Sequence, residues 1–260
     1  MKKGVIISDL HAGALSGLTP PNWQSRGEGW REKVRNVQKQ CWDWFDKTMN
    51  SFPELDFLIC NGDAVDGEGY KTGGSEQLTT DTNVQAEMAS WTLRRYMAKQ
   101  TKLFMTYGTP YHTGSVSDVE ALIAHDCNAT EIGGQVFIDI EGVIFDLKHK
   151  VGASAIPHGR ANSIKKASLW NNVWADAGEQ PRADVLIRSH VHYHQACYDP
   201  DFGWQMTTPC LQGFGNKYGA RQCEGRVHFG LLYVECDKGE FSYKPLIAKL
   251  KAHQSKVVVV

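Results

Sequence analysis

Ser189-His190-Val191-His192-Tyr193-His194 sets three imidazoles at alternate positions directly after the apolar stretch Asp184-Val185-Leu186-Ile187. Side chains two apart on an extended chain share a face, and imidazole is the commonest protein ligand for transition metals. A strand leaving a core delivers such residues to its rim, so the pattern points to a metal site rather than to a histidine-rich edge. Three further segments repeat the arrangement. Gly4-Val5-Ile6-Ile7-Ser8 runs into Asp9-Leu10-His11, and Phe57-Leu58-Ile59-Cys60 runs into Asn61-Gly62-Asp63-Ala64-Val65-Asp66. Leu103-Phe104-Met105-Thr106-Tyr107 runs into Gly108-Thr109-Pro110-Tyr111-His112, where Pro and Gly enforce a turn and Gly108 and Gly114 free the backbone around His112. Carboxylate and imidazole together are hard and borderline donors, suited to Mn, Fe or Zn.

The elements that must position these residues follow from their flanks. Each apolar run is short and bounded by Gly or polar turns, as in buried parallel strands, and open α/β sheets bind ligands beyond the carboxyl ends of their strands. Gln135 to Ile140, Glu141-Gly142 and Val143 to His149 read as a hairpin with Phe145, Leu147 and His149 in phase. Alone, His149 would read as a hydrogen-bonded core residue; the other segments make it a candidate ligand. Helices are expected from about Glu28 to Thr48, with Trp30, Val34, Val37, Cys41 and Trp44 as the buried stripe, and from about Asp81 to Lys99. Ser117 to Glu120 has capping-box spacing. A helix near Ser163 to Ala177 carries Ile164, Ala167, Trp170 and Trp174, read as core, with Gly178 able to end it. Strands return at Trp204 to Thr208 and in the pair Phe229 to Glu235 and Glu240 to Lys244, turned by Asp237-Lys238-Gly239. Alternating βα units followed by hairpins predict an α/β fold in which a mixed sheet stacks on a second one with helices outside.

Composition bounds the classes. A chain of 260 residues with 42% hydrophobic and 22% charged residues can hold one large soluble α/β domain, taken as residues 1–260. The formal net charge of −1 argues against a broad electrostatic nucleic-acid footprint. Seven cysteines, an odd number without a C-x-x-C pair, fit a reducing, cytoplasmic compartment, with Cys41 and Cys60 as core thiols. No apolar run approaches the ~20 residues that span a bilayer, so no membrane partner is expected.

In their order, Asp9-Leu10-His11, Gly62-Asp63-Ala64-Val65-Asp66, the Gly108-to-His112 turn, His149 and His190-Val191-His192 resemble the five motifs of the calcineurin-like metallophosphoesterases. The Gly-Thr-Pro-Tyr-His and Ser-His-Val-His-Tyr-His wording looks most like the small versions found in phages and prophages. The resemblance implies a four-layer αββα sandwich of two mixed sheets flanked by helices. It also implies two divalent ions, Mn foremost with Fe, Zn or Ni open, bridged by Asp63. Asp9, His11 and His192 would complete one ion's ligands; His149 and His190 would serve the other. The implied activity is hydrolysis of phosphate esters, diesters before monoesters, with DNA or RNA as a candidate substrate. The opposing reading is a non-catalytic interaction module of the same fold, as for a retromer subunit.

The third motif departs from the family pattern of Gly-Asn-His. The Asn ligand is missing, so either Thr109 supplies a neutral oxygen or His112 takes the metal-binding or catalytic place; His112 is assigned to protonation of the leaving oxygen. Asp66 either orients a ligand or belongs to the Asp66-Gly67 turn. His158 and His194 could support the ligands, with His158 a competitor for the His149 role, and Arg160 could form a phosphate fork. Tyr218 and Arg221 could close the mouth, the Gly-rich stretch from Gln212 to Gly219 reads as loop, and the terminal Val run reads as a fraying end or an edge strand. The loop Gly67 to Gly74 is placed to overhang the centre.

Overall fold

The computed structural model describes residues 1–113, 118–213 and 227–250. Its scaffold begins with β1 (Lys2–Ile7), α1 (Trp30–Met49), β2 (Phe57–Asn61), α2 (Thr82–Arg95) and β3 (Lys102–Thr106). Next come α3 (Pro110–Thr113), α4 (Val119–Asp126), β4 (Glu131–Gly133), β5 (Val136–Ile140), β6 (Val143–Leu147) and α5 (Asn162–Asp176). The chain closes with β7 (Val185–Arg188), β8 (Gln195–Asp199), β9 (Gly203–Thr207), β10 (Gly230–Asp237) and β11 (Glu240–Ile247). One sheet has six strands in the order β11-β10-β1-β2-β3-β4; the other has five, β5-β6-β7-β9-β8. Strands β1 to β4 run parallel, as do β6, β7 and β9, and antiparallel hairpins edge both sheets.

The unbroken apolar runs are explained by burial of both strand faces. Val5, Ile7, Leu58, Cys60, Leu103 and Met105 pack with the helices, while Ile6, Phe57, Ile59 and Phe104 alternate with them into the space between the sheets. There they meet Phe145, Leu147, Val185, Ile187 and Met206 of the second sheet. Helices α1, α2 and α4 cover the outside of the six-stranded sheet, and α5 packs on β7 and β9 outside the other. The result is the expected αββα sandwich.

Several local expectations shift. Trp30 is 60% exposed; the buried face of α1 is Gln38, Cys41, Trp42, Phe45 and Met49, a stripe that begins two turns later. Helix α2 stops at Arg95 rather than near Lys99. The cap of α4 is Asp118, which accepts from Ala121 N, while Glu120 turns inward instead of completing a capping box; Ser117 lies outside the described residues. In α5 the buried positions are Ile164, Ser168, Asn171 and Asn172, so Trp170 and Trp174 stand half-exposed and are not core. Gly178 does end that helix at φ +74°. Gly114, Tyr218, Arg221, most of the Gly-rich stretch and the terminal Val run lie outside the described residues.

Candidate metal centre

The donors stand just past the carboxyl ends of the parallel strands, where both sheets meet. Asp9 and His11 follow β1, Asp63 and Asp66 follow β2, and Thr109 and His112 follow β3. His149 follows β6; His190 and His192 follow β7. Three sets have ligand atoms close enough to hold an ion: Asp9, His11 and His192; Asp63, His149 and His190; and His11, Asp66 and His112. Asp9 Oδ1 lies 3.1 Å from His192 Nε2 and 3.9 Å from both His11 Nε2 and His149 Nε2. Asp63 Oδ2 lies 2.9 Å from His149 Nε2 and 4.0 Å from both His190 Nδ1 and His112 Nε2. Asp63 thus faces imidazoles carried by both sheets.

The donor set fits a cation. Asp9 Oδ1 and His149 Nε2 are buried and approach His192 Nε2 and Asp63 Oδ2 without a well-aligned hydrogen bond, and such poorly satisfied groups are costly unless a ligand completes them. Neighbouring bonds fix which ring nitrogen faces inward. His11 Nδ1 meets Asp66 Oδ1 at 2.8 Å, His149 Nδ1 meets Asn61 O at 2.8 Å, and His112 Nδ1 meets Asp66 O at 2.8 Å. A proton on each Nδ1 leaves each Nε2 with its lone pair toward the centre. Asp66 is therefore an orienting partner of His11, and its other oxygen accepts from Gln77.

Backbone conformation marks the same residues. Asp9, His11, Asp63, His190 and His192 have φ of 51°, 46°, 50°, 72° and 55°. Left-handed backbone costs a non-glycine residue roughly 1–2 kcal/mol, and such strain gathers at functional sites. Two glycines permit the close packing: a Cβ on Gly62 would stand 2.5 Å from His149 Nδ1, and one on Gly108 would stand 2.1 Å from Asp63 Oδ1. The second approach lets Thr109 N donate to Asp63 Oδ1 at 2.7 Å, with Thr109 Oγ1 at 3.2 Å.

Charge follows geometry. Burial pushes the Asp9 carboxyl up, but His192 and His149 outweigh it and hold the group below the ordinary range. Asp63 is burdened by burial too and is held well below that range by His149 and His190. Burial lowers His149, yet the Asp63 and Asp9 carboxylates prevail and raise it to about 9. His112 is held below its ordinary value by burial and by His11 beside it.

The supports beneath this centre are residues that carry no ligand pattern in the sequence. Glu120, wholly buried, accepts from Ala64 N at 2.9 Å and Gly108 N at 2.6 Å, tying the loops of Asp63 and Thr109 together. Burial and the Asp63 charge push its carboxyl up to about 7. Asn61 donates to Ser189 Oγ at 2.7 Å and to Lys148 O at 3.2 Å and accepts from Thr106 Oγ1 at 2.9 Å. Thr208 Oγ1 then joins Ser189 Oγ to Ser8 Oγ at 2.7 and 2.6 Å. Polar residues flanking each ligand motif at a strand end were the available signal.

Other candidates fall outside the donor sets. His194 Nδ1 meets Thr207 O at 2.7 Å, and its backbone N donates to His228 Nδ1. His158 is exposed in the turn Pro157–Gly159. The Arg160 guanidinium lies 4.4 Å from the centroid of the Tyr193 ring, next in chain to His192. The 67–74 loop reaches the His112 turn, where Lys71 N donates to Tyr111 Oη at 3.1 Å.

No known family's sequence model matches the chain, and no curated protein matches it. Solved structures resemble it in chain path. Zinc-complexed wild-type Vps29 from Entamoeba histolytica is 12% identical with a TM-score of 0.47, covering 94% of this chain and 98% of that one. An archaeal phosphodiesterase is 12% identical with a TM-score of 0.44, covering 94% and 99%. The phosphoesterase Yfce from E. coli is 14% identical with a TM-score of 0.42, covering 94% and 98%. Among the described residues no helix is long and apolar enough to cross a membrane.

Proposed function

We propose that the chain is a metal-dependent phosphoesterase of the calcineurin-like kind, holding two divalent ions, with Mn foremost, and acting on phosphodiesters, nucleic acid among them. The observation that carries this reading is Asp63, buried between His149 and His190 of one sheet and His112 of the other, beside a second acid–imidazole set. Asp9, His11 and His192 would hold one ion, His149 and His190 the other, and Asp63 both. Ions bound there supply charge neutralisation at phosphoryl oxygens and acidify water.

The chain's own residues supply the rest. Asp66 and Asn61 hold His11 and His149 in the tautomer that leaves Nε2 open. Thr109 takes hydrogen-bond capacity of Asp63 Oδ1 and so steadies the shared carboxylate. His112 Nε2 faces the centre, 4.0 Å from Asp63 Oδ2, while Nδ1 keeps its own proton on Asp66 O; a proton taken up at Nε2 makes the imidazolium, and that proton is the one placed to pass to the departing oxygen, returning the ring to neutral. The test is hydrolysis of bis(p-nitrophenyl) phosphate by Mn²⁺-loaded protein. Mn²⁺-dependent turnover that Asp63→Asn abolishes is the expected result.

One observation favours a second reading, the non-catalytic interaction module: the third motif has no Asn, and Thr109 is turned to Asp63 as a donor. Protein that holds its metal yet cleaves neither diesters nor monoesters would select that reading.

A further inference from the structure

Between Leu147 and Ala175 the chain carries Lys148, Lys150, Arg160, Lys165 and Lys166 and no Asp or Glu, within a protein of formal net charge −1. All four lysines are exposed. The segment starts at His149 and becomes α5, whose first turn holds no acidic residue and whose end has no side-chain cap. Lysines near a helix N-terminus oppose its dipole, so these charges do not serve the helix. Further along, Leu169, Trp170, Val173 and Trp174 are 50%, 50%, 46% and 45% exposed. Their spacing forms one face, opposite the residues that pack on the sheet.

This face begins at the end of the sheet that carries the metal centre. Strands β6 and β7 are parallel neighbours joined through α5, so the helix returns antiparallel to them and its N-terminal, lysine-bearing end lies at the ligand end of the sheet. Arg160, just before the helix, rests on the ring of Tyr193, which follows His192. Tyr193 Oη in turn accepts from Ser154 N at 3.4 Å, fastening the connecting loop.

We infer that the α5 face formed by Lys166, Trp170 and Trp174, with Lys165 beside Leu169 at its edge, docks single-stranded nucleic acid and leads it to the metal centre. The inference rests on the phosphodiesterase reading and names its substrate class. Single strands are held by cations that track the backbone and by aromatic rings on which bases stack; paired bases of a duplex offer no free ring face. The absence of any acid along this strap, residues 147–175, favours a polyanion over a second copy of this chain.

The experiment measures binding of a fluorescein-labelled single-stranded oligonucleotide to the full chain in EDTA, alongside Mn²⁺-dependent bis(p-nitrophenyl) phosphate hydrolysis by the unaltered protein. Trp170→Ala and Trp174→Ala should each weaken oligonucleotide binding by about 5- to 150-fold. Lys165→Gln with Lys166→Gln should reduce the slope of log affinity against log salt by about 1.4. Trp30→Ala, an exposed tryptophan outside the strap, should bind like the unaltered chain, and thermal midpoints verify that every variant is folded. Absence of oligonucleotide binding, or unchanged binding by both folded tryptophan variants, overturns the inference. Self-association abolished by the tryptophan changes with oligonucleotide binding intact would assign the face to a second copy and overturn it equally. Oligonucleotide binding that obeys these rules in a protein inert toward the diester removes the catalytic reading and leaves the docking face standing.

Discussion

At the residue scale, protons and metal compete for the same atoms. Against the lowering effect of burial, Asp63 and Asp9 raise His149 to about 9, and Cys210 with Asp9 raises His192 well above its ordinary value. A folded-state value above the unfolded one means that the His149 contribution to metal-free stability is full below about 6.5 and fades as pH rises through about 9. Metal needs the neutral rings, so binding at pH 7 must expel protons and tighten as pH climbs toward 9. Calorimetric titration in two buffers of different ionisation enthalpy should register that release; heats independent of the buffer would contradict it. His112 is a separate case. His112→Asn should keep metal content and lower turnover by about 10²–10⁴-fold, with poor leaving groups suffering most, whereas loss of metal would make His112 a ligand.

Asn61 carries the coupling between residue and element, because one amide bonds the strand ends that present His149 and His190. Asn61→Ala would leave buried partners unsatisfied at about 1–3 kcal/mol each, read as a lower denaturation midpoint together with weakened metal affinity. A buried ion pair stiffens the second sheet: Arg188 Nη2 lies 2.7 Å from Asp146 Oδ2, and Gln135 donates to the other oxygen at 2.8 Å. Asp146→Ala strands the guanidinium and should cost about 3–5 kcal/mol in urea unfolding; a loss below 1 kcal/mol would show the pair to be dispensable. Strand positions were readable because short apolar runs ending in Asp or His have few other uses. Glu120 was not, since an acid three residues after Ser117 fits a helix cap equally well, and only the tertiary fold decides that it faces Ala64 and Gly108. The α5 tryptophans misled for a related reason: periodicity shows that a face exists without showing which side meets the sheet.

For the whole molecule, the two sheets are joined at one edge by a polar layer and by the donors above it. The five left-handed donors and the poorly satisfied Asp9 and His149 atoms are costs that the apolar space between the sheets must offset. A ligand satisfying them stabilises the folded chain by mass action, about 2.7 kcal/mol at a free concentration 100 times its dissociation constant. Thermal unfolding should therefore rise on adding Mn²⁺ and fall back on chelation, and an unchanged midpoint would mean that no ion binds the folded state. The αββα layering was legible from the order of strand and helix signals, whereas the bare outer face of α5 was not, because exposure belongs to the assembled layers.

The central claim is that Asp63 is shared by two ions, and metal stoichiometry tests it most directly. Protein saturated with Mn²⁺ and freed of excess should retain about two ions per chain, and Asp63→Asn should lower the affinity of both. At most one ion across Mn, Fe and Zn, or an Asp63→Asn chain that keeps two at undiminished affinity, would contradict the account.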